Sequence, residues 1–373
     1  MKRFFECLIP VTSCNLKCEY CYVIQRHNRL MQMPKFDYSV DRIIEALSME
    51  RLGGACYFSI CGAGETMLPK ETLEITRGLI ENGHYVNLTT NGTITNRIKE
   101  ISSWPKEITS HLHIAFSFHY LELLKHNLLG TYFENVRMAR AAGCSILVQI
   151  NLYDGYNDHW DTIKDLCIKE VGAPPQVAAT RDENSEVFKF HTSGTTEEYI
   201  KRGKEFDSPL WDFTIENFNN KHNGQFCYAG QWSGTLNLCT GILTGCYGQG
   251  ITQNIFEDIS KPIKFRAIGK NCCKKFCMNS SHFLSLGCIP DYKTPTYASL
   301  RNRKVANWYN PAMEKFLSER LYDSNERYSS SKMLMSNIRS LCQRGKLTCA
   351  NLLRNKFPAI YNLIRKVKKC LKP

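Results

Sequence analysis

The last 43 residues contain no aspartate or glutamate. From Ser331 to Pro373 there are eleven lysines and arginines and no acid, while the formal charge of the whole 373-residue chain is +13. The residues before Ser331 therefore carry only +2, and the basic character belongs to a tail rather than to the body. An apolar run of spanning length is also missing, which excludes a helical membrane channel or transporter. Met1-Lys2-Arg3 leads into Phe4–Pro10, too short for the apolar region of a secretory signal. Internal repeats and low-complexity tracts are absent too, so solenoids and propellers are not expected. Cysteine is not scarce: there are 18. Many cysteines without an export signal point to a reducing, cytoplasmic setting, where they serve as metal ligands more readily than as disulfides.

Short β-rich runs alternate with helical patterns through the first half, the signature of βα units and a parallel sheet. Strands are expected at Phe4–Pro10, Ala55–Ile60, Tyr85–Thr89, Leu112–Phe118, Ile146–Leu152 and Gln176–Thr180. Helices are expected near Tyr38–Glu50, Lys70–Asn82, Thr95–Ser103, Tyr132–Ala142 and Asp158–Glu170. Asn82-Gly83 and Ala142-Gly143 read as helix stops. Six such units are too few for a closed eight-stranded barrel. From about Asn217 to Cys288 the chain turns Gly- and Cys-rich, and beyond Asp291 it shifts again to a polar, aromatic stretch and the basic tail.

Cys14-Asn15-Leu16-Lys17-Cys18-Glu19-Tyr20-Cys21-Tyr22 follows the first strand. Three thiolates this close can converge on one soft metal centre, and three sulfurs on a cubane would leave one iron open. A half zinc site is the plainer reading of a lone close pair, and this run exceeds it. The C-x3-C-x2-C spacing, with an aromatic before the last cysteine, resembles the radical S-adenosylmethionine (SAM) superfamily. That resemblance implies an α/β fold, a partial (β/α)6 TIM-like barrel over residues 1–190. It implies a [4Fe-4S] cluster on Cys14, Cys18 and Cys21 that binds SAM and cleaves it to a 5′-deoxyadenosyl radical. A reductant such as flavodoxin or ferredoxin would supply the electron.

Active sites in parallel barrels are built at the C-terminal strand ends, and polar groups recur there in this chain. Gly62-Ala63-Gly64-Glu65 after the second strand resembles the family's Gly-Gly-Glu motif. Its glycines, Gly62 and Gly64, permit close approach of a ligand, and Glu65 or the neighbouring carbonyls would accept from the SAM ammonium. Tyr20 matches the aromatic near the adenine, and Asn91, Ser117 and Gln149 fall where relatives contact ribose and carboxylate. Cys61, His119, Arg181 and Asp182 are candidates for substrate contact or proton handling by position alone. The bland alternatives are a helix-starting histidine, an apolar filler cysteine and a surface ion-pair arginine.

A second cysteine group follows. Cys227, Gly241 and Cys246 resemble the opening of the SPASM and shorter twitch extensions, which hold auxiliary iron–sulfur clusters. Gly241, with four residues between it and Cys246, would let the chain turn so that both thiolates face one centre. Of Cys272-Cys273-Lys274-Lys275-Phe276-Cys277, Cys277 and Cys273 are the expected partners, with Cys273 preferred to Cys272 and Cys288 distant. The full SPASM cysteine run is missing, so one auxiliary [4Fe-4S] cluster in a small domain over 217–290 is expected rather than two. Four cysteines would serve structural zinc equally well.

In the extension over 291–373, Ile360, Leu363, Ile364, Val367 and Leu371 recur at helical spacing with Arg365, Lys366, Lys368 and Lys369 between them, after a break at Pro358. This basic amphipathic helix suits an anionic membrane surface at the inner face of the membrane; an RNA or DNA contact is the weaker alternative. The expected chemistry is hydrogen abstraction from a carbon of a sugar, glycolipid or other small molecule. A peptide- or protein-modifying maturase is the alternative, disfavoured because the first strand begins by residue 4 with no leader-recognising domain before it. RNA modification rests on the tail alone. A non-catalytic iron–sulfur protein is the remaining class, and it would need neither SAM-contacting feature.

Overall fold

The computed structural model describes residues 1–185, 189–218, 222, 224–247, 249–270, 272, 277, 280–356, 358 and 362. Six parallel strands lie side by side in chain order: β1 (Arg3–Ile9), β2 (Cys56–Gly62), β3 (Tyr85–Thr90), β4 (Leu112–Ser117), β5 (Ser145–Leu152) and β6 (Gln176–Ala179). With the helices between them they form a partial (β/α)6 barrel. The expected strands match within two residues, because runs such as Cys56-Tyr57-Phe58-Ser59-Ile60 are buried on both faces and read as largely apolar segments. The intervening helices Glu71–Glu81, Leu129–Ala141 and Trp160–Val171 each turn an apolar stripe to the sheet. Gly83 and Gly143, at φ +84° and +100°, take the left-handed conformation that ends the first two.

Three strands had no counterpart in the sequence reading. β7 (Ser233–Asn237) pairs parallel with the free edge of β1, Phe4 opposite Ser233 and Leu8 opposite Asn237. A turn at Gly241, φ +72°, sends the chain back as β8 (Ile242–Thr244), which pairs with β9 (Gln253–Asn254). A Cβ on Gly241 would sit 2.5 Å from Asn254 Oδ1, so the turn needs glycine. The hairpin returns the chain from Cys227 past the turn to Cys246, as the glycine spacing anticipates.

The segment after Asp291 packs on the barrel. Helices Tyr297–Arg301 and Pro311–Leu317 sit at the N-terminal strand ends, where the Ile146 amide donates to the Trp308 carbonyl at 2.8 Å. Arg303 donates to the carbonyls of Pro174, Pro175, Phe206 and Asp207, and Asn325 exchanges two hydrogen bonds with the Lys2 backbone. One apolar core runs from β1 through Trp308, Met313 and Leu317. A long helix, Ser330–Lys356, follows. Ile360, Leu363, Ile364, Val367 and Leu371, the apolar positions of the expected tail helix, lie outside the described residues. Among the described residues no helix is long and apolar enough to cross a membrane.

Candidate functional site

Two cavities open from the C-terminal strand ends. The first, about 880 Å3, is walled by the cysteine loop, the turn after β2 and the ends of β3, β4 and β5. Cys14, Cys18 and Cys21 all line it. Chain turns hold the loop: the Cys21 amide donates to the Cys18 carbonyl, and Arg29 donates to the carbonyl of Cys14 at 2.9 Å. Across the barrel, the Lys17 amide donates to Glu122 at 2.7 Å. Asn91 Nδ2 donates to Asn15 Oδ1 at 2.8 Å and lies 3.7 Å from Cys14 Sγ.

These residues fit a cluster. Burial pushes the Cys14 and Cys18 thiols up, and the neighbouring cysteines push Cys18 further in the same direction. Gathering three thiolates therefore costs free energy that a cationic centre offsets. Among the described residues no three His, Cys, Asp or Glu side chains come together for a single metal ion, so the fit rests on the shared cavity and on that mutual repulsion.

Gly62, Gly64, Glu65, Tyr20, Asn91 and Ser117 line the same cavity, as does His119. The Glu65 carboxylate is buried and engaged: Oε1 accepts from the Met67 amide and the Thr90 hydroxyl, and Oε2 from the Asn91 amide. It clamps the turn after β2 to the end of β3. Gly64 packs against the cysteine loop so tightly that a Cβ would lie 2.1 Å from the Ser13 carbonyl oxygen. Glu65→Gln is expected to destabilise the protein by about 2–4 kcal/mol, since one amide would face a like donor. Urea denaturation measures this, and an unchanged midpoint would show the clamp is dispensable.

His119 sits just before helix Tyr120–Lys125. Its Nδ1 is 2.7 Å from the Tyr20 hydroxyl, which is also 3.0 Å from the Tyr156 hydroxyl. Burial pushes the imidazole down to about 4, so it is neutral near pH 7.

The second cavity, about 1040 Å3, is the barrel lumen, and Thr89 and Ser117 line both spaces. Gln149 faces this lumen, while Asn151 reaches the cofactor cavity. Residues two apart on a strand share a face but differ in height by about 6.6 Å, which places the two side chains in different spaces. Arg181 lines the lumen. Cys61 and Asp182 line neither cavity. The Cys61 thiol is pushed up to about 12 by burial and then by Glu6. Asp182 Oδ1 accepts from the Asn184 amide in a local turn.

The second cysteine group gathers at the side of the barrel. Cys227 is raised well above the usual thiol range by burial and then by Cys288, Cys277 and Cys246; Cys246 is raised by burial, Cys277, Cys272 and Cys288. Cys288, read as distant, is brought in because the Tyr228 amide donates to its carbonyl at 2.7 Å and its thiol lies 3.3 Å from Ser233 Oγ. Gln249 Nε2 is 3.8 Å from Cys272 Sγ. Cys273 lies outside the described residues. Cys239 is buried, with Asp37 and Glu71 as its charged neighbours.

Residues 8–167 match the family model described as Radical SAM superfamily. No curated protein sequence matches the chain. Similar solved structures include Streptococcus suis SuiB bound to precursor peptide SuiA, 16% identical with a TM-score of 0.47, covering 68% of this chain and 62% of that one. Native anSMEcpe with bound AdoMet and a Cp18Cys peptide is 15% identical with a TM-score of 0.48, covering 98% and 99%. BtrN in complex with AdoMet and 2-DOIA is 13% identical with a TM-score of 0.34, covering 86% and 88%. The chain thus spans less than two thirds of SuiB, and likenesses this remote carry no argument about substrate. The matched segment holds the three cysteines, the Gly62–Glu65 turn and the strand ends that face them, and residues 8–167 form a radical SAM superfamily domain.

Proposed function

We propose that this chain is a radical SAM enzyme acting on a small polar molecule held in the barrel lumen. When bound, a [4Fe-4S] cluster on Cys14, Cys18 and Cys21 with SAM at its open iron supplies a 5′-deoxyadenosyl radical, fed by a reductant such as flavodoxin or ferredoxin. The observation that carries the reading is the meeting of the two cavities at Thr89 and Ser117. A ligand in the first and one in the second would both touch those side chains. Asn91 would orient the cluster loop through Asn15 and Cys14, and Gly62 and Gly64 would bring backbone carbonyls against the ligand. Tyr20 and neutral His119 would wall the cavity and keep water from it.

Cys227, Cys246 and Cys277 are the proposed ligands of an auxiliary cluster. Cys272, Cys288 and Cys273 compete for the fourth position; the first two are near the group by their mutual electrostatics. A second cluster there would take up an electron from an oxidised substrate or anchor substrate from the side.

Anaerobic purification with iron, sulfide and zinc analysis tests both assignments. About eight irons per chain is the expected result for two cubanes. About four irons with SAM cleavage intact would remove the auxiliary cluster and leave the barrel assignment standing. Zinc in the second group would make it structural. Iron-loaded protein that leaves SAM intact under reduction, with and without lysate metabolites, would return the chain to the non-catalytic iron–sulfur class.

A further inference from the structure

Arg301 ends the helix Tyr297–Arg301 at the base of the lumen and is 3% exposed. Its guanidinium lies 3.5 Å above the Tyr297 ring and donates through Nη2 to the Ser281 carbonyl. Nη1 has no hydrogen-bond partner, and among the described residues no carboxylate forms an ion pair with this arginine. Two more buried polar atoms around the same cavity lack partners, His113 Nε2 and Asn87 Oδ1.

A guanidinium stays charged in proteins, and burying it without a counter-charge is costly. Here a donor of Arg301 and a ring nitrogen of His113 border one cavity with no acidic lining residue. His113 is neutral, since burial and then the charge of Arg301 hold it at about 3. The Tyr57 hydroxyl lies 2.8 Å from Nδ1, and with that hydroxyl as donor the ring hydrogen sits on Nε2. Asn87, whose Nδ2 is engaged with Ser59, offers an acceptor.

We propose that the lumen binds a substrate through an anionic group, a carboxylate or a phosphate, captured at its base by Arg301 and His113, with Asn87 accepting from a neighbouring hydroxyl or amine. His113 and Ser117 are four residues apart on β4, a rise of about 13 Å. A carbon that reacts beside Ser117 therefore lies about 10 Å from the acid, and the substrate is elongated. The position of the reacting carbon rests on the radical SAM reading; the capture of an acid does not.

The test uses the full chain, cluster-loaded and anaerobic, with three probes built on six carbons: 6-hydroxyhexanoate, 6-hydroxyhexyl phosphate and the neutral 6-hydroxyhexanamide. Calorimetric titration is expected to give binding of at least one acid, about tenfold or more tighter than the amide. The better of the two acids identifies the headgroup. Arg301→Gln is expected to abolish that preference and Arg301→Lys to keep part of it. The Cys14, Cys18 and Cys21 triple alanine variant is expected to keep it whole, so loss of radical chemistry leaves acid capture readable. Equal binding of amide and acids by wild type, a result that needs no variant to fold, overturns the proposal. So does failure of both acids to bind, or an unchanged preference in folded Arg301→Gln protein.

Discussion

Replacing Cys14, Cys18 and Cys21 together with alanine is expected to remove about four irons per chain and bring 5′-deoxyadenosine formation to background. The three thiols line one cavity, and Cys21 and Cys14 disfavour ionisation of Cys18, so their joint presence is explained by a centre that takes all three as thiolates. The loop keeps other anchors, the Lys17–Glu122 and Arg29–Cys14 hydrogen bonds, and Leu16 stays packed at 2% exposure. The barrel is therefore expected to fold, with Cys18→Ala alone costing about 1–2 kcal/mol of packing. Far-UV circular dichroism and melting separate a folded, iron-poor protein from a collapsed one. SAM cleavage by the folded triple variant would dismiss this loop as the catalytic centre.

Acid is expected to unfold this protein well before its carboxylates titrate. Burial holds His84 and His119 down to about 4 in the folded state, and His113 and His282 to about 3. For His84 burial outweighs the Leu47 carbonyl, 2.8 Å from Nε2, which pulls the other way, while Nδ1 accepts from the Cys56 amide at 3.1 Å. A proton on Nδ1 would break the bond from Cys56. Because the folded values lie below the unfolded value near 6.5, the unfolded chain binds more protons as pH falls. The stability is whole above about pH 6.5 and is lost below it. Each ring contributes about 1.4 kcal/mol per pH unit in that window, so the four together remove roughly 5 kcal/mol by about pH 5.5. That rivals the whole stability of an ordinary domain. Melting temperature across pH 7.5 to 5, with proton uptake on unfolding, measures it. A flat profile from pH 7 to 5.5 would mean these rings stay solvated.

The barrel was legible because parallel strands buried on both faces write themselves as apolar runs, and Gly83 and Gly143 mark where helices must stop. β7 was not, because Ser-Gly-Thr-Leu-Asn has no strand pattern of its own and is a strand only by pairing with β1. The helix Thr196–Lys204 carried a readable start, a capping box between Thr195 and Glu198, which passed unread. At the site, the cysteine loop and the Gly62–Glu65 turn were legible as motifs. That Asn151 rather than Gln149 lines the cavity of the cysteine loop was not legible, because sequence fixes the face of a strand residue but not its height in the barrel. Cys288 needed the tertiary contact with Tyr228. Arg301 had no signal at all: an arginine closing Tyr-Ala-Ser-Leu-Arg looks like any helix end until the lumen opens above it.

The pairing of β7 with β1 sets a timetable for the chain's birth. β1 is synthesised before either of its neighbours, and β2 soon covers one edge. The strand for its other edge arrives roughly 230 residues later. At bacterial and eukaryotic elongation speeds of about 5–20 residues per second, that edge stays bare for roughly 10–50 s. Unpaired apolar edges recruit neighbours, so the nascent chain, more than the finished protein, is where slow translation or a missing chaperone would be felt as aggregation.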